Sequence, residues 1–109
     1  FRGALVPYDR EFKVKLLGAP DVPAVSEEMA MAMAVGVCQT LGTDCGIAVT
    51  GVAGPEPHEG HKPGTVWAAI SIQGQTEAIL LNMPFDRERV RQFTCIAALN
   101  LLRTRLLAR

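Results

Sequence analysis

A regular spacing of apolar residues in the first half of the chain predicts a helix. Met29, Met33 and Val37 recur every four residues, as side chains on one face of a helix do. Ser26 precedes them as an N-cap, and Gly42 ends the pattern. We interpret the two methionines as core packing rather than as part of a cofactor site, because a flexible thioether side chain commonly fills irregular gaps in a core.

Capping residues predict two further helices. Asp9 is a suitable N-cap for a helix that ends at about Leu17, and Gly18 is a suitable left-handed terminator. Asp86 opens a last helix that runs to about Ala108. The centre of this last helix is apolar nearly all round, and such a helix is usually covered on more than one side.

The last helix carries two apolar stripes. We expect Val90, Phe93 and Ala97 to hold it against a sheet. The second stripe comprises Ile96, Leu99 and Leu102. Since monomers seldom expose a large apolar patch, we expect a homo-oligomer in which a second copy covers this stripe. An N-terminal segment preceding the chain is the alternative cover.

Short apolar runs bounded by glycine, proline and polar residues predict four strands. They are Ala4–Val6, Ile47–Thr50, Thr65–Ile72 and Glu77–Leu81. The last two flank a glycine-containing turn at residues 73–75, which predicts an antiparallel hairpin. The order β-α-α-β-β-β-α predicts an α/β fold in one domain over residues 1–109, a three-layer sandwich with a mixed sheet flanked by helices.

Composition narrows the classes of function. The 109 residues carry no net charge, which argues against a nucleic-acid-binding protein, whose typical feature is a basic stripe. No apolar run approaches the roughly 18 residues of a membrane span, so we expect no membrane partner. Cys38, Cys45 and Cys95 lack metal-site or disulfide-framework spacing, and we expect three small buried apolar residues in a reducing cytoplasm.

A glycine-rich turn after the second predicted strand is the first candidate for chemistry. The run Ala48–Pro55 brings a bare backbone loop to the end of a sheet, where N–H groups can approach a phosphate, a ribose hydroxyl or a developing oxyanion. It is neither a P-loop nor a dinucleotide fingerprint. An ordinary strand-to-loop turn is the alternative. The candidate binding residues are Thr50, Gly51, Ala53, Gly54, Gly64 and Thr65.

Tyr8 and Lys13 are the second candidate, as a catalytic pair. They are five residues apart, across the end of a strand and the first turn of a helix. Helical side chains lean toward their own N-terminus, so Lys13 can reach back over the turn that holds Tyr8. A desolvated lysine beside a tyrosine hydroxyl can serve as a base. The alternative is an exposed lysine at a helix start and an interface tyrosine.

Two histidines raise the question of a metal. His58 and His61 lie close to Glu56 and Glu59, but Pro57, Gly60 and Pro63 make the stretch a loop rather than a helix face. No third rigid ligand is near, so we expect a solvated loop, no metal and no cofactor.

Several segments together resemble one known family. They are Gly3–Tyr8, Lys13 with Leu16–Gly18, Val25–Glu28, Ala48–Pro55, Lys62–Val66, Phe85–Arg87 and Val90–Arg91. In this order and at nearly this spacing they resemble the C-terminal domain of the competence/damage-inducible protein CinA. That family includes nicotinamide-nucleotide amidohydrolases. The resemblance implies a metal-free amidase acting on a small nucleotide, nicotinamide mononucleotide, with Tyr8 and Lys13 assisting a serine nucleophile.

The chain departs from the family pattern in two places. The family carries, upstream of its tyrosine, a helix, a strand and a Glu-Ser-Cys-Thr-Gly-Gly motif, which the sequence does not contain. The chain starts at Phe1 rather than Met, so we expect this helix and strand to be missing. Residues 56–63 also differ from the usual Gly-Gly-Thr-Pro-Glu-Lys-Pro-Val run of the family. A non-catalytic module for assembly or ligand sensing is therefore the alternative function.

Overall fold

Three helices and three strands form the regular structure of the described residues. The computed structural model describes residues 1–18, 22–58, 60–84 and 86–109, with the backbone alone at positions 10, 16 and 17. Glu59 and Phe85, named in the sequence analysis, lie outside these residues. The elements are α1 (Arg10–Leu17), α2 (Glu27–Leu41), β1 (Cys45–Gly51), β2 (Thr65–Ile72), β3 (Gln75–Asn82) and α3 (Arg87–Leu107).

The predicted helix ends are confirmed. Asp9, Ser26 and Asp86 each accept, through a side-chain oxygen, a hydrogen bond from the backbone N–H three residues further along. Gly18 and Gly42 terminate α1 and α2 in the left-handed conformation, each at φ 65°. These caps satisfy backbone groups that a helix end leaves unpaired, so short polar residues and glycine mark the boundaries in the sequence.

The sheet has the order β1-β2-β3, and both pairs are antiparallel. β2 has the predicted bounds, whereas β1 and β3 extend one or two residues beyond prediction at each end. The predicted hairpin joins β2 to β3, with Gln73 and Gly74 at positive φ in its turn.

The helices cover both faces of the sheet, which confirms the predicted three-layer fold. On one face, Met29 and Met33 of α2 pack against Ala48 and Ala69 in a buried cluster. On the opposite face, Leu101 of α3 joins a second cluster. Its sheet residues are Ile70 and Ile72, with Cys45, Ile47 and Ile79 packed around them. Alternation of side chains along each strand separates the two clusters.

Residues 4–6, predicted as a strand, form no ladder, and the described strands pair only in antiparallel fashion. Exposure nevertheless alternates there: Gly3, Leu5 and Pro7 are half-buried, whereas Ala4, Val6 and Tyr8 are exposed. Strand pairing requires a neighbouring backbone within about 4.8 Å. The segment thus has the side-chain alternation of a strand without the paired backbone.

The face by which α3 meets the sheet differs from the prediction. Val90 is buried as expected, but Phe93 is 44% exposed and Ala97 is only half-buried. The buried positions are Val90, Thr94, Ala98 and Leu101. Thr94 is tolerated inside because its hydroxyl donates a hydrogen bond to the Val90 carbonyl, at 2.6 Å. The buried stripe therefore runs through Thr94 and Ala98 rather than through Phe93 and Ala97.

The prediction that all three cysteines are buried is wrong. Cys95 is exposed on α3, and Cys38 and Cys45 are half-buried. All three are free thiols.

Candidate active-site cleft

An open cleft of about 1230 Å³ lies between residues 1–8 and strand β1. Met33 and Val37 of α2 line one side of it, and Leu99 and Leu102 of α3 line another. The cleft is therefore bordered by the N-terminal segment, by strand β1 of the sheet and by the helices on both faces of the sheet. Such a concave apolar surface with a few polar groups is the usual setting of a small-molecule site.

Tyr8 and Lys13 line this same cleft. Tyr8 is 93% exposed at the end of the N-terminal segment. Lys13, the fourth residue of α1, is only 8% exposed. Lysine is almost never buried to this degree in a protein without a specific environment for its amine. The two predicted catalytic residues thus line the same cleft, Tyr8 exposed and Lys13 buried.

Thr50 and Gly51 bring the end of β1 to the cleft. Thr50 is buried, and its hydroxyl donates a 2.6 Å hydrogen bond to the Ala24 carbonyl. Gly51 is exposed, but a Cβ on it would lie 2.6 Å from Cγ2 of Val66. Close approach of β2 therefore explains the glycine at position 51.

The four other candidate binding residues lie beyond the end of β1 and do not line the cleft. They are Ala53, Gly54, Gly64 and Thr65. The Val52 N–H donates to the Thr65 carbonyl at 2.9 Å, and the Gly64 N–H donates to the Val52 carbonyl at 2.6 Å. The segments around Val52 and Gly64 are thus hydrogen-bonded to each other. The backbone N–H groups of these two residues therefore already have acceptors within the chain.

Two glycines of this region, Gly54 and Gly64, have positive φ. The φ values are 91° at Gly54 and 94° at Gly64. A Cβ at Gly54 would lie 2.9 Å from Cβ of Pro63. At Gly64 it would lie 1.8 Å from the Met83 carbonyl oxygen. Chain packing alone therefore requires both glycines, whether or not a ligand approaches them.

The described residues that line the cleft include neither serine nor histidine. Its two threonines already donate their hydroxyl protons: Thr50 to Ala24, and Thr43 to the Cys45 carbonyl at 3.0 Å. A hydroxyl nucleophile must transfer its proton to a base when it attacks. Neither threonine, as placed, points that proton toward Lys13.

Comparison with known proteins identifies the family. The sequence profile of the CinA C-terminal domain matches residues 1–106. The chain belongs to the CinA family. A CinA-like protein of Geotalea daltonii is 48% identical to it over 115 residues, and one of Dictyoglomus thermophilum is 43% identical over 113 residues. These matches cover 100% and 98% of this chain, which spans only 28% of the length of each relative.

Solved CinA structures have the same fold. The CinA superfamily protein from Enterobacter cloacae superposes with a TM-score of 0.89 at 32% identity, over 94% of this chain and 64% of its own. The competence damage-inducible protein A from Klebsiella pneumoniae gives 0.87 at 35% identity, over 92% and 66%. In both cases the match covers nearly all of this chain and about two thirds of the solved chain.

Arg87 makes a long-range contact that the sequence pattern does not predict. From the first position of α3, its Nη1 donates a 2.7 Å hydrogen bond to the carbonyl of Gly54. A cation at a helix N-terminus is disfavoured by the helix dipole. An arginine at the first position of a helix is therefore the feature of the sequence that indicates a specific hydrogen-bond acceptor for the guanidinium.

We expect Arg87→Met to lower the free energy of unfolding by about 1.5 kcal/mol, because it removes a hydrogen bond from a charged donor. Arg89→Met is the matched control, since Arg89 is exposed two residues along the same helix. Urea unfolding of both variants gives the comparison. Equal stability losses would mean that the Arg87 contact contributes nothing to holding the Gly54 loop.

The histidine loop of the CinA domain closes on itself. The backbone groups of His58 and His61 hydrogen-bond to each other, with N···O distances of 3.2 and 2.8 Å. No cluster of three metal-binding side chains occurs among the described residues.

None of the helices in the described ranges combines the length and apolar content needed to cross a bilayer.

Proposed function

We propose that this CinA-family chain is part of a nicotinamide-nucleotide amidohydrolase. The enzyme converts nicotinamide mononucleotide to nicotinate mononucleotide and ammonia, in cytoplasmic pyridine-nucleotide recycling. The observation that carries the proposal is the buried Lys13, which lines an open cleft together with Tyr8. A buried ionisable group in a cleft is a mark of a functional site.

Lys13 acts as the general base in the proposed mechanism. Its amine takes the proton of a serine hydroxyl supplied by another part of the longer protein, and Tyr8 helps to transfer that proton. The serine oxygen attacks the carboxamide carbon, and the tetrahedral intermediate expels ammonia after protonation of its nitrogen. Water then hydrolyses the acyl-enzyme, releasing the carboxylate and regenerating the serine.

The binding residues divide into two roles in this proposal. Thr50 and Gly51, at the end of the cleft, contact the substrate. Gly54 and Gly64 shape the loop behind it, because their positive φ and close packing hold the adjacent Ala53 and Thr65 in place. The cleft volume of about 1230 Å³ is sufficient for a mononucleotide, since ligand pockets commonly measure about 300–1,000 Å³.

We expect the 109-residue chain by itself to release no ammonia from nicotinamide mononucleotide above background. The reason is that the described residues lining its cleft include no serine or histidine, and both threonines among them donate their hydroxyl protons to backbone carbonyls. A coupled ammonia assay measures this, with the longer protein as the positive control. Clear turnover by the short chain would show that the nucleophile lies within it. Nucleotide binding without turnover by the longer protein would favour a non-catalytic ligand-sensing module.

We also propose that the longer protein forms a homo-oligomer through α3. Phe93 and Ile96 are 44% and 62% exposed, away from the buried face of the helix. Burial between two copies would remove this apolar surface from water. Light scattering at micromolar concentration should report at least two protomers, and Ile96→Glu should shift the mass toward the monomer. A monomeric parent protein would contradict the proposal.

A further inference from the structure

The outer edge of β3, on the side away from β2, carries regularly spaced backbone groups. The Met83 N–H donates to the Gly64 carbonyl at 2.9 Å, which fixes the phase of the β2–β3 ladder. Because hydrogen-bonded pairs alternate along an antiparallel ladder, odd-numbered β3 residues bond to β2. No described strand pairs with the other edge. The outward N–H and C=O groups belong to the even-numbered residues Thr76, Ala78, Leu80 and Asn82.

This edge lacks the features by which exposed strands avoid pairing with other strands. Proteins commonly protect such an edge with lysine, proline or a bulge. Strand β3 contains no lysine and no proline, and its register with β2 is continuous. Its single charged residue, Glu77, bonds to Arg105 at 2.5 and 3.2 Å. The eight-residue edge is therefore suited to pairing with a further strand.

Apolar side chains flank the open backbone on both faces of the sheet. Ala78 is half-buried against the cluster between α2 and the sheet, and Leu80 is 45% exposed on the same face. Ile79 packs, half-buried, against the second cluster on the α3 face, and Leu81 follows on that face. A strand that joins this edge would therefore cover apolar surface on both faces.

The sequence of β3 is self-complementary about Ile79. In a two-fold antiparallel pair centred there, Ile79 faces its own copy, and Ala78 of one chain faces Leu80 of the other. A small side chain thus lies opposite a large one on the α2 face. Towards the ends Thr76 faces Asn82, so that polar residues lie opposite polar residues.

Neighbouring registers fit less well. A pair centred on Leu80 would place Pro84 opposite Thr76, and proline has no N–H to donate. A pair centred on Ala78 would place the polar Thr76 opposite Leu80. In the register centred on Ile79, the two Glu77 residues are four positions apart, or about 13 Å, so like charges do not meet.

We propose that the outer edge of β3 pairs with β3 of a second copy of this chain, around a two-fold axis at Ile79. The two sheets then form one continuous sheet, and each facing pair of outward residues exchanges two backbone hydrogen bonds. A two-fold axis presents the same surface on both copies, so the symmetry of the sequence about Ile79 favours a second copy over an unrelated strand. The contact is separate from the one proposed for α3.

Engineered disulfides test this register in the longer protein. At the axis the two Ile79 Cα atoms would lie about 4.5 Å apart, within the range that a disulfide spans. The two Leu81 Cα atoms would lie about 13 Å apart, beyond that range. Cys95→Ser removes the exposed native thiol from both variants. With oxidised glutathione, we expect Ile79→Cys to form a covalent dimer and Leu81→Cys to remain uncrosslinked.

Denaturing electrophoresis without reductant measures the cross-linked fraction of the two variants. Equal cross-linking of both, or cross-linking of neither, would overturn the proposal. The disulfide at position 79 reports on β3 alone, so an oligomer held only by α3 would give no covalent dimer at this position.

Amide exchange in the unmodified longer protein gives a second measurement. The outward N–H groups of Ala78 and Leu80 should exchange about a hundredfold more slowly in the oligomer than after dilution to the monomer. The Ile79 N–H, which points to β2 in both states, is the internal control. Fast exchange of Ala78 and Leu80 in the oligomer would overturn the proposal. Protection that persists in the monomer would also overturn it, by assigning the edge to another part of the longer protein. Neither measurement uses turnover, so the amidase proposal stands or fails separately.

Discussion

Lys13→Met should lower the turnover of nicotinamide mononucleotide by the longer protein about a hundredfold or more. This is the usual contribution of a group that transfers a proton in the rate-limiting step. Methionine keeps the length and volume of the lysine stem but cannot accept the proton. Because Lys13 is 8% exposed and lines the cleft, the substitution acts at the site rather than on the surface. Steady-state ammonia release gives the rate.

Lys15→Met is the matched control for this experiment. Lys15 is on the same helix, but its side chain is 69% exposed and pairs with Glu11 one turn away. Removing an exposed i,i+4 pair changes stability by only about 0.5 kcal/mol and should leave turnover unchanged. If Lys13→Met kept the parental rate, Lys13 would not be the base. If both variants lost activity equally, the effect would be one of helix stability.

Gly64→Ala should destabilise the fold by about 3 to 5 kcal/mol. The substitution combines strain at φ 94° with a Cβ placed 1.8 Å from the Met83 carbonyl oxygen. The Met83 N–H also donates to the Gly64 carbonyl at 2.9 Å, so the two backbones cannot separate without losing that bond. Urea unfolding followed by circular dichroism measures the loss.

Gly60→Ala separates the two contributions. Gly60 has a similar φ of 76°, but nothing lies within 4 Å of a Cβ built there. The Gly60→Ala substitution should therefore lower the free energy of unfolding only by the backbone strain, about 1 to 2 kcal/mol. Equal losses of stability at positions 60 and 64 would mean that packing against Met83 is not the reason for the glycine at position 64. Contact with a ligand would then be the alternative reason.

Local chemistry was sufficient to predict the helix ends, the β2–β3 hairpin and the core face of α2 in this CinA domain. Asp9, Ser26 and Asp86 cap helices because a short polar side chain satisfies backbone donors only a few residues away. The β2–β3 hairpin follows from two apolar runs around one glycine turn. The methionine stripe of α2 is buried because its four-residue spacing produces a single face.

The candidate site was only partly predictable, because its geometry depends on contacts between distant parts of the chain. The sequence indicated Tyr8 and Lys13, and the fold places both beside the cleft. Arg87 and Gly54 are 33 residues apart in the chain, and no local pattern states that the guanidinium reaches that carbonyl.

The sequence by itself determined the helix ends, the hairpin, the α2 core face and the family of this protein, since each depends on spacing along the chain. Only the tertiary structure decided which face of α3 is buried, because Thr94 satisfies its own hydroxyl on the helix. It also decided why Gly51 and Gly64 are glycines. The atoms that exclude a Cβ at these positions belong to Val66 and Met83, whose approach depends on the pairing of whole strands.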